Sequence, residues 1–174
     1  IGQICEWQAN VPDSPLLLFD KIKGYPKGYR VASNLFNKPN RTALALGLST
    51  DSSGLDQIKA WRAKEKGIKL LPPKEVKDGP VLQNIDEGED VNLYKFPAPK
   101  WHQLDGGRYI GTGDMVITKD PDEGWVNFGT YRVQIQNKNS GTIFMSPGRH
   151  GDMIRNKYWA RGQNCPVAVI CGQS

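Results

Sequence analysis

The chain has 174 residues, 38% hydrophobic and 24% charged, with a formal net charge of +5 and a sequence pI near 9.1. This is the composition of an ordinary globular protein, and no run approaches the roughly 18 apolar residues of a membrane helix. Its three cysteines, Cys5, Cys165 and Cys171, are odd in number and lack CxxC spacing, which argues against a disulfide framework or a zinc knuckle and for a reduced, cytoplasmic setting.

Ile1–Ala9 reads as a helix end, broken by the stretch from Val11 to Pro15. Leu16–Phe19 and Arg30–Ser33 read as short strands around the turn Lys23-Gly24-Tyr25-Pro26-Lys27-Gly28. Asn40 is a candidate cap for a helix over Arg41–Leu48. Asp51-Ser52-Ser53-Gly54 is a second cap region, before a helix over Leu55–Lys66 that should turn Leu55, Ile58 and either Trp61 or Arg62 inward and stop at Gly67. The basic run Lys59, Arg62, Lys64, Lys66 and Lys69 lies on and just after it. That run fits a solvated helix face better than a nucleic-acid surface, although the surplus charge could also serve an anionic small ligand.

From Pro72 to Asp90 the chain is loop-rich, with a strand expected over Val81–Ile85. Phe96-Pro97-Ala98-Pro99 is stiff and extended, and the domain boundary is placed there: residues 1–97, then 98–174. Beyond it strands dominate: Tyr109-Ile110, Asp114–Thr118, a long returning strand over Trp125–Gln136, and Thr142–Met145. Lys119–Gly124 and Asn137–Gly141 form the turns. A helix over Met153–Arg161 and an apolar strand over Pro166–Cys171 close the chain. Antiparallel strands in this order suggest half of a small barrel or sandwich. A chain that stops on an apolar strand is expected to be part of something longer. Each cysteine is expected to be a small buried apolar residue.

The chemistry concentrates between Trp101 and Gly151. Asn127, Gly129 and Tyr131 alternate with Phe128, Thr130 and Arg132, so both strand faces carry polar groups. Arg132 is either an ordinary surface arginine or a cation awaiting an anion. Gly129 leaves room for something to approach the backbone closely. His150 follows Pro147-Gly148-Arg149 in a loop. An asparagine oxygen and an imidazole suit a hard or borderline divalent cation, but two ligands are too few for a site. Trp101, His102 and Asp105 read as a structural turn. Neither GxxxxGK[ST] nor GxGxxG at a strand–helix junction is present.

WHQLDGGRYIGTG, VITKDP, VNFGTYRVQ and GRH, in this order and spacing, resemble the UbiD family of prenylated-FMN decarboxylases. LLLFDKIKGYPKGYRVASNLF is similar to that family's N-terminal domain. The resemblance implies an α+β fold: an N-terminal α/β domain, then part of a split β-barrel flavin-binding domain. It implies a reversible carboxy-lyase acting on aromatic, heteroaromatic or α,β-unsaturated acids, with prenylated FMN, Mn2+ and, as a further candidate, K+. Asn127 and His150 match metal ligands, Arg132 the arginine beside substrate and flavin, and Thr112, Thr130, Tyr131 and Arg149 the cofactor lining. The family's third ligand and catalytic glutamates fall beyond Ser174. The remainder of the enzyme is therefore an implied partner, along with self-association into a homo-oligomer, and this chain alone is expected to be inactive. A flavin-binding module without chemistry is the alternative. No nucleic-acid or membrane partner is implied.

Overall fold

The computed structural model describes residues 1–171 and forms two compact units. The first comprises Ile1, Gln3–Lys21 and Arg30–Asp90; the second comprises Gly2, Ile22–Tyr29 and Val91–Ser174. Helices and sheets are mixed, as the α+β reading requires.

In the first unit, α1 (Gly2–Ala9) precedes an antiparallel pair, β1 (Leu17–Phe19) and β2 (Val31–Ser33). Helix α2 (Pro39–Ala45) starts two residues earlier than the asparagine suggests: Lys38 is its N-cap and Pro39 occupies the first turn, where a missing N–H costs nothing. Asn40 accepts only from the N–H of its neighbour Arg41. Helix α3 (Gly54–Glu65) is capped by Ser53, whose Oγ accepts from the Asp56 N–H at 3.3 Å. The expected inward face of α3 holds only at Trp61, which is half-buried, and fails at its other positions. Leu55 and Ile58 are exposed at 62% and 55%, and Gln57 is buried. Gln57 turns inward because its amide donates to the Ser52 carbonyl at 3.1 Å, so its polar end is not stranded. Between α2 and α3 lies an open cavity of about 600 Å³, lined by Ala43, Leu46, Ile58 and Trp61 among others. The Lys64 ammonium donates to the Leu46 carbonyl at the end of α2. No strand forms over Val81–Ile85. Pro80–Leu82 is a single 3-10 turn, because Pro80 fixes φ and offers no N–H for a ladder.

The second unit holds two three-stranded antiparallel sheets. One contains β3 (Arg108–Gly111), β6 (Val133–Ile135) and β7 (Gly141–Ile143), in the order β3-β6-β7. The other contains β4 (Met115–Lys119), β5 (Val126–Thr130) and β8 (Val167–Ile170), in the order β5-β4-β8. The long strand expected over Trp125–Gln136 is therefore two strands in different sheets. It breaks at Tyr131-Arg132, and past the break the Arg132 carbonyl accepts from the Phe144 N–H instead. The β4–β5 hairpin is in the register its turn predicts, with Thr118 opposite Asn127 and Val116 opposite Gly129.

Helix α4 (His150–Trp159) packs on β4 and β5. It begins three residues before the expected start, so His150 is its first residue and not a loop residue. Asp152 explains the early start: its Oδ2 accepts from the Gly148 N–H at 3.0 Å, closing the turn ahead of the helix. Gly148 lies at φ 76°, where a glycine is favoured. Under α4, Val116 and Ile154 are wholly buried. The opposite sheet face carries Val126 and Phe128 in the open, and every residue of β8 is exposed. Of the cysteines only Cys5 is buried; Cys165 is half-buried and Cys171 exposed. The expectation that all three fill core space fails because β8, which Cys171 follows, is uncovered. Among the described residues no helix is long and apolar enough to cross a membrane.

Candidate functional site

Strand alternation sends Asp114, Val116, Thr118 and Asp120 to the buried face of β4, opposite Asn127 and Gly129 of β5. Asn127 is 7% exposed. Its Nδ2 donates to Thr118 Oγ1 at 3.4 Å, a long bond between two buried groups. That leaves Oδ1 as the amide's unengaged end among the described residues.

His150 is exposed, and its ring meets the Trp125 ring edge-on, with centroids 5.3 Å apart. Trp125 is two residues before Asn127, so this contact brings His150 to the end of β5 from which Asn127 projects. A pair of residues two apart on a strand is separated by about 7 Å.

Tyr131 sits at the same junction. Its hydroxyl accepts from the Gly151 N–H at 3.2 Å, in the first turn of α4. Its ring lies over Gly129, where a Cβ would fall 2.1 Å from ring carbon Cε2. A Cβ on Gly151 would fall 2.8 Å from the same hydroxyl. The close approach anticipated at Gly129 is thus made by the chain's own tyrosine. Arg149, the N-cap of α4, completes this group and is exposed.

Thr130 and Arg132 are both exposed, Thr130 on the outer face of β5 and Arg132 in the link to β6. The Arg132 guanidinium makes no hydrogen bond or ion pair among the described residues. Thr112, exposed between β3 and β4, is hydrogen-bonded to none of the others. The fold therefore gathers Asn127, Tyr131, Arg149 and His150 around the start of α4. Thr112, Thr130 and Arg132 are exposed, and none of them is hydrogen-bonded to that group.

Charge is distributed unevenly along the buried face of β4. At one end Asp120 accepts from Lys157 at 2.7 Å and from the N–H groups of Asp122 and Glu123. The Lys157 hydrogen bond, followed by the Glu123 N–H, lowers its pKa to about 2. Arg161 holds Asp122 low in the same way, and the Tyr158 hydroxyl donates to the Lys119 carbonyl. These bonds fasten the hairpin turn to α4. At the other end Asp114 is 4% exposed, and neither carboxylate oxygen has a partner. Burial raises its pKa.

Sequence reasoning missed Thr118, Trp125 and Asp114. The alternation from Asp114 to Thr118 was visible and puts both polar residues on the face that the apolar Val116 marks as inward.

Comparison with known proteins decides the family. Residues 74–174 match the 3-octaprenyl-4-hydroxybenzoate carboxy-lyase Rift-related domain, and residues 3–61 match the N-terminal domain of the same carboxy-lyases. The chain belongs to the UbiD family. Pyrrole-2-carboxylic acid decarboxylase of Pseudomonas aeruginosa is 30% identical over 152 residues, covering 87% of this chain and 30% of that protein. The closed form of vanillic acid decarboxylase from Sedimentibacter hydroxybenzoicus superposes with a TM-score of 0.88 at 29% identity, covering 99% of this chain and 37% of that one. An evolved dimeric form of HmfF from Pelotomaculum thermopropionicum, solved in complex with prFMN, gives a TM-score of 0.76 at 25% identity, covering 96% of this chain and 37% of that one. The chain thus spans about a third of the length of the relatives it matches.

Proposed function

We propose that this chain is the first part of a prenylated-FMN-dependent carboxy-lyase that reversibly decarboxylates aromatic, heteroaromatic or α,β-unsaturated acids in the cytoplasm. Residues 1–97 would form its N-terminal domain and 98–174 the first part of the cofactor domain. The observation that carries this reading is the Asn127 amide. Its nitrogen is tied to Thr118 and its oxygen is unengaged, at the strand end where Trp125 holds His150.

An amide oxygen and an imidazole nitrogen fit a divalent cation such as Mn2+, with K+ as a further candidate nearby. Two neutral donors fall short of a coordination sphere. The rest would come from a cofactor phosphate and from a carboxylate in the remainder of the enzyme. Thr112, Thr130, Tyr131 and Arg149 would line the cofactor. Bound prenylated FMN would supply the electron sink for loss of carbon dioxide.

Arg132 would orient the substrate. An unpartnered guanidinium offers two parallel N–H groups to a carboxylate and holds the acid in one plane. It stays protonated and cannot be the proton donor. A group in the remainder of the enzyme would give the proton to carbon.

The test uses the whole protein, in whatever oligomer it forms, loaded with prenylated FMN and Mn2+. Carbon dioxide release from a panel of unsaturated acids is the expected result. Retention of flavin with no turnover on any of them would favour a binding module without chemistry, and failure to retain flavin would overturn both.

A further inference from the structure

Asp114 stands apart from every other carboxylate among the described residues. It precedes β4 on that strand's buried face and is 4% exposed. Both of its carboxylate oxygens are without a hydrogen-bond partner. The carboxyl is seated against backbone: a Cβ on Gly111 would lie 2.0 Å from its Cγ, so glycine there makes the space it occupies. Both ladders of β4 end beside it, with Met115 opposite Thr130 of β5 and Ile170 of β8. The Tyr131 hydroxyl is engaged with Gly151.

A carboxylate removed from water with no partner costs several kcal/mol, so such a group is paired or carries a proton. The cations of this chain leave it unpaired. Among the described residues no cluster of three or more His, Cys, Asp or Glu gathers at Asp114 to hold a metal ion. The proposed cofactor and substrate bring phosphate and carboxylate, both of the wrong sign. A cationic side chain from elsewhere would satisfy the carboxylate, and a bound proton is the competing state that the experiment below separates. An ammonium is a point donor that favours one oxygen, whereas a guanidinium satisfies two oxygens at once through its planar fork.

We propose that Asp114 is the anionic half of a buried ion pair whose other half is an arginine from the part of the enzyme outside this chain. This rests on the reading of the chain as part of a larger enzyme. The pair joins the β3–β4 link to the remainder of the protein and fixes how the two are assembled.

The experiment compares the thermal unfolding of the whole protein with that of its D114N variant at pH 7. D114N keeps the shape and removes the charge, stranding the buried guanidinium. A fall in Tm on the order of 5 °C is expected. No fall, or a rise, would show that Asp114 is unpaired or protonated and would overturn the proposal. A structure of the whole protein supplies a readout that does not depend on the variant folding. A guanidinium within hydrogen-bond distance of both Asp114 oxygens supports the pair; a lysine, a water or no partner there overturns it. Turnover by the unmodified whole protein, measured in parallel, separates this inference from the functional reading. An active enzyme with an insensitive Asp114 defeats only the ion pair, and an inactive protein with an arginine at Asp114 defeats only the decarboxylase.

Discussion

Asp114 and Asp120 sit six residues apart, flanking β4 on its buried face, and their surroundings are opposite. Asp120 accepts from a lysine and two backbone N–H groups, and its pKa falls to about 2. Asp114 accepts from no side chain, and its pKa rises. The contrast separates what this chain finishes by itself from what it leaves open. Around Asp120, the turn, β4 and α4 complete one another. Around Asp114, and at Arg132 and the Asn127 oxygen, polar groups wait for partners that the described residues do not supply. The closed end should respond to mutation as architecture, and the open end as function or assembly.

The largest effect is expected at the open end. Arg132→Ala in the cofactor-loaded whole protein should lower turnover by at least about 100-fold, because orientation of the substrate carboxylate is lost. Flavin absorbance after gel filtration should stay near the parent level, since the Arg132 guanidinium makes no hydrogen bond or ion pair among the described residues. Near-normal turnover would remove Arg132 from the site.

At the closed end, Asp120→Asn should destabilise the protein at neutral pH without altering flavin affinity. The sign follows from the lowered pKa. A carboxylate whose folded pKa lies below its ordinary value of 3.8 stabilises the fold above that value, and the contribution fades as pH falls from there through about 2. Urea midpoints of parent and variant should therefore differ at pH 7 and draw together as the pH drops below 3.8. A difference that holds constant down to low pH would mean that the pairing with Lys157 is not its source.

The smallest effect belongs to the junction between the two ends. Tyr131→Phe removes one hydrogen bond to the Gly151 N–H and keeps the ring over Gly129. A loss of about 1 kcal/mol by chemical denaturation is expected, and a loss several times larger would mean that the hydroxyl anchors more than α4.

Local chemistry was legible in the sequence where one residue decides a structure. Pro121 and Gly124 mark the hairpin turn, Ser53 caps α3, and the alternation after Asp114 gives β4 its buried face. The break at Tyr131-Arg132 was not legible, because neither glycine nor proline stands there and the apolar alternation runs on through Val133 and Ile135. Only the demand of a second sheet reveals it. The facing of α3 was misread because periodicity identifies an apolar stripe but not whether anything covers it. At the site, the motif order pointed to Asn127, Arg132 and His150. That Trp125 holds His150 and Thr118 holds the Asn127 amide depends on pairing across the hairpin and on α4 returning from twenty residues downstream.

The tyrosine ring wedged between two glycines has a consequence for how this sequence can change. Gly129 is 22 residues from Gly151 in the chain, yet both face the same phenol, and a methyl at either position would collide with it. Neither glycine can drift independently while the tyrosine stays. If Tyr131 were first replaced by a small residue, either site should accept alanine with much less harm, so substitutions costly one at a time become permissible in company. Variation at these three positions should therefore be inherited as a set, and an exchange that looks neutral in one relative should prove damaging when transplanted alone into another.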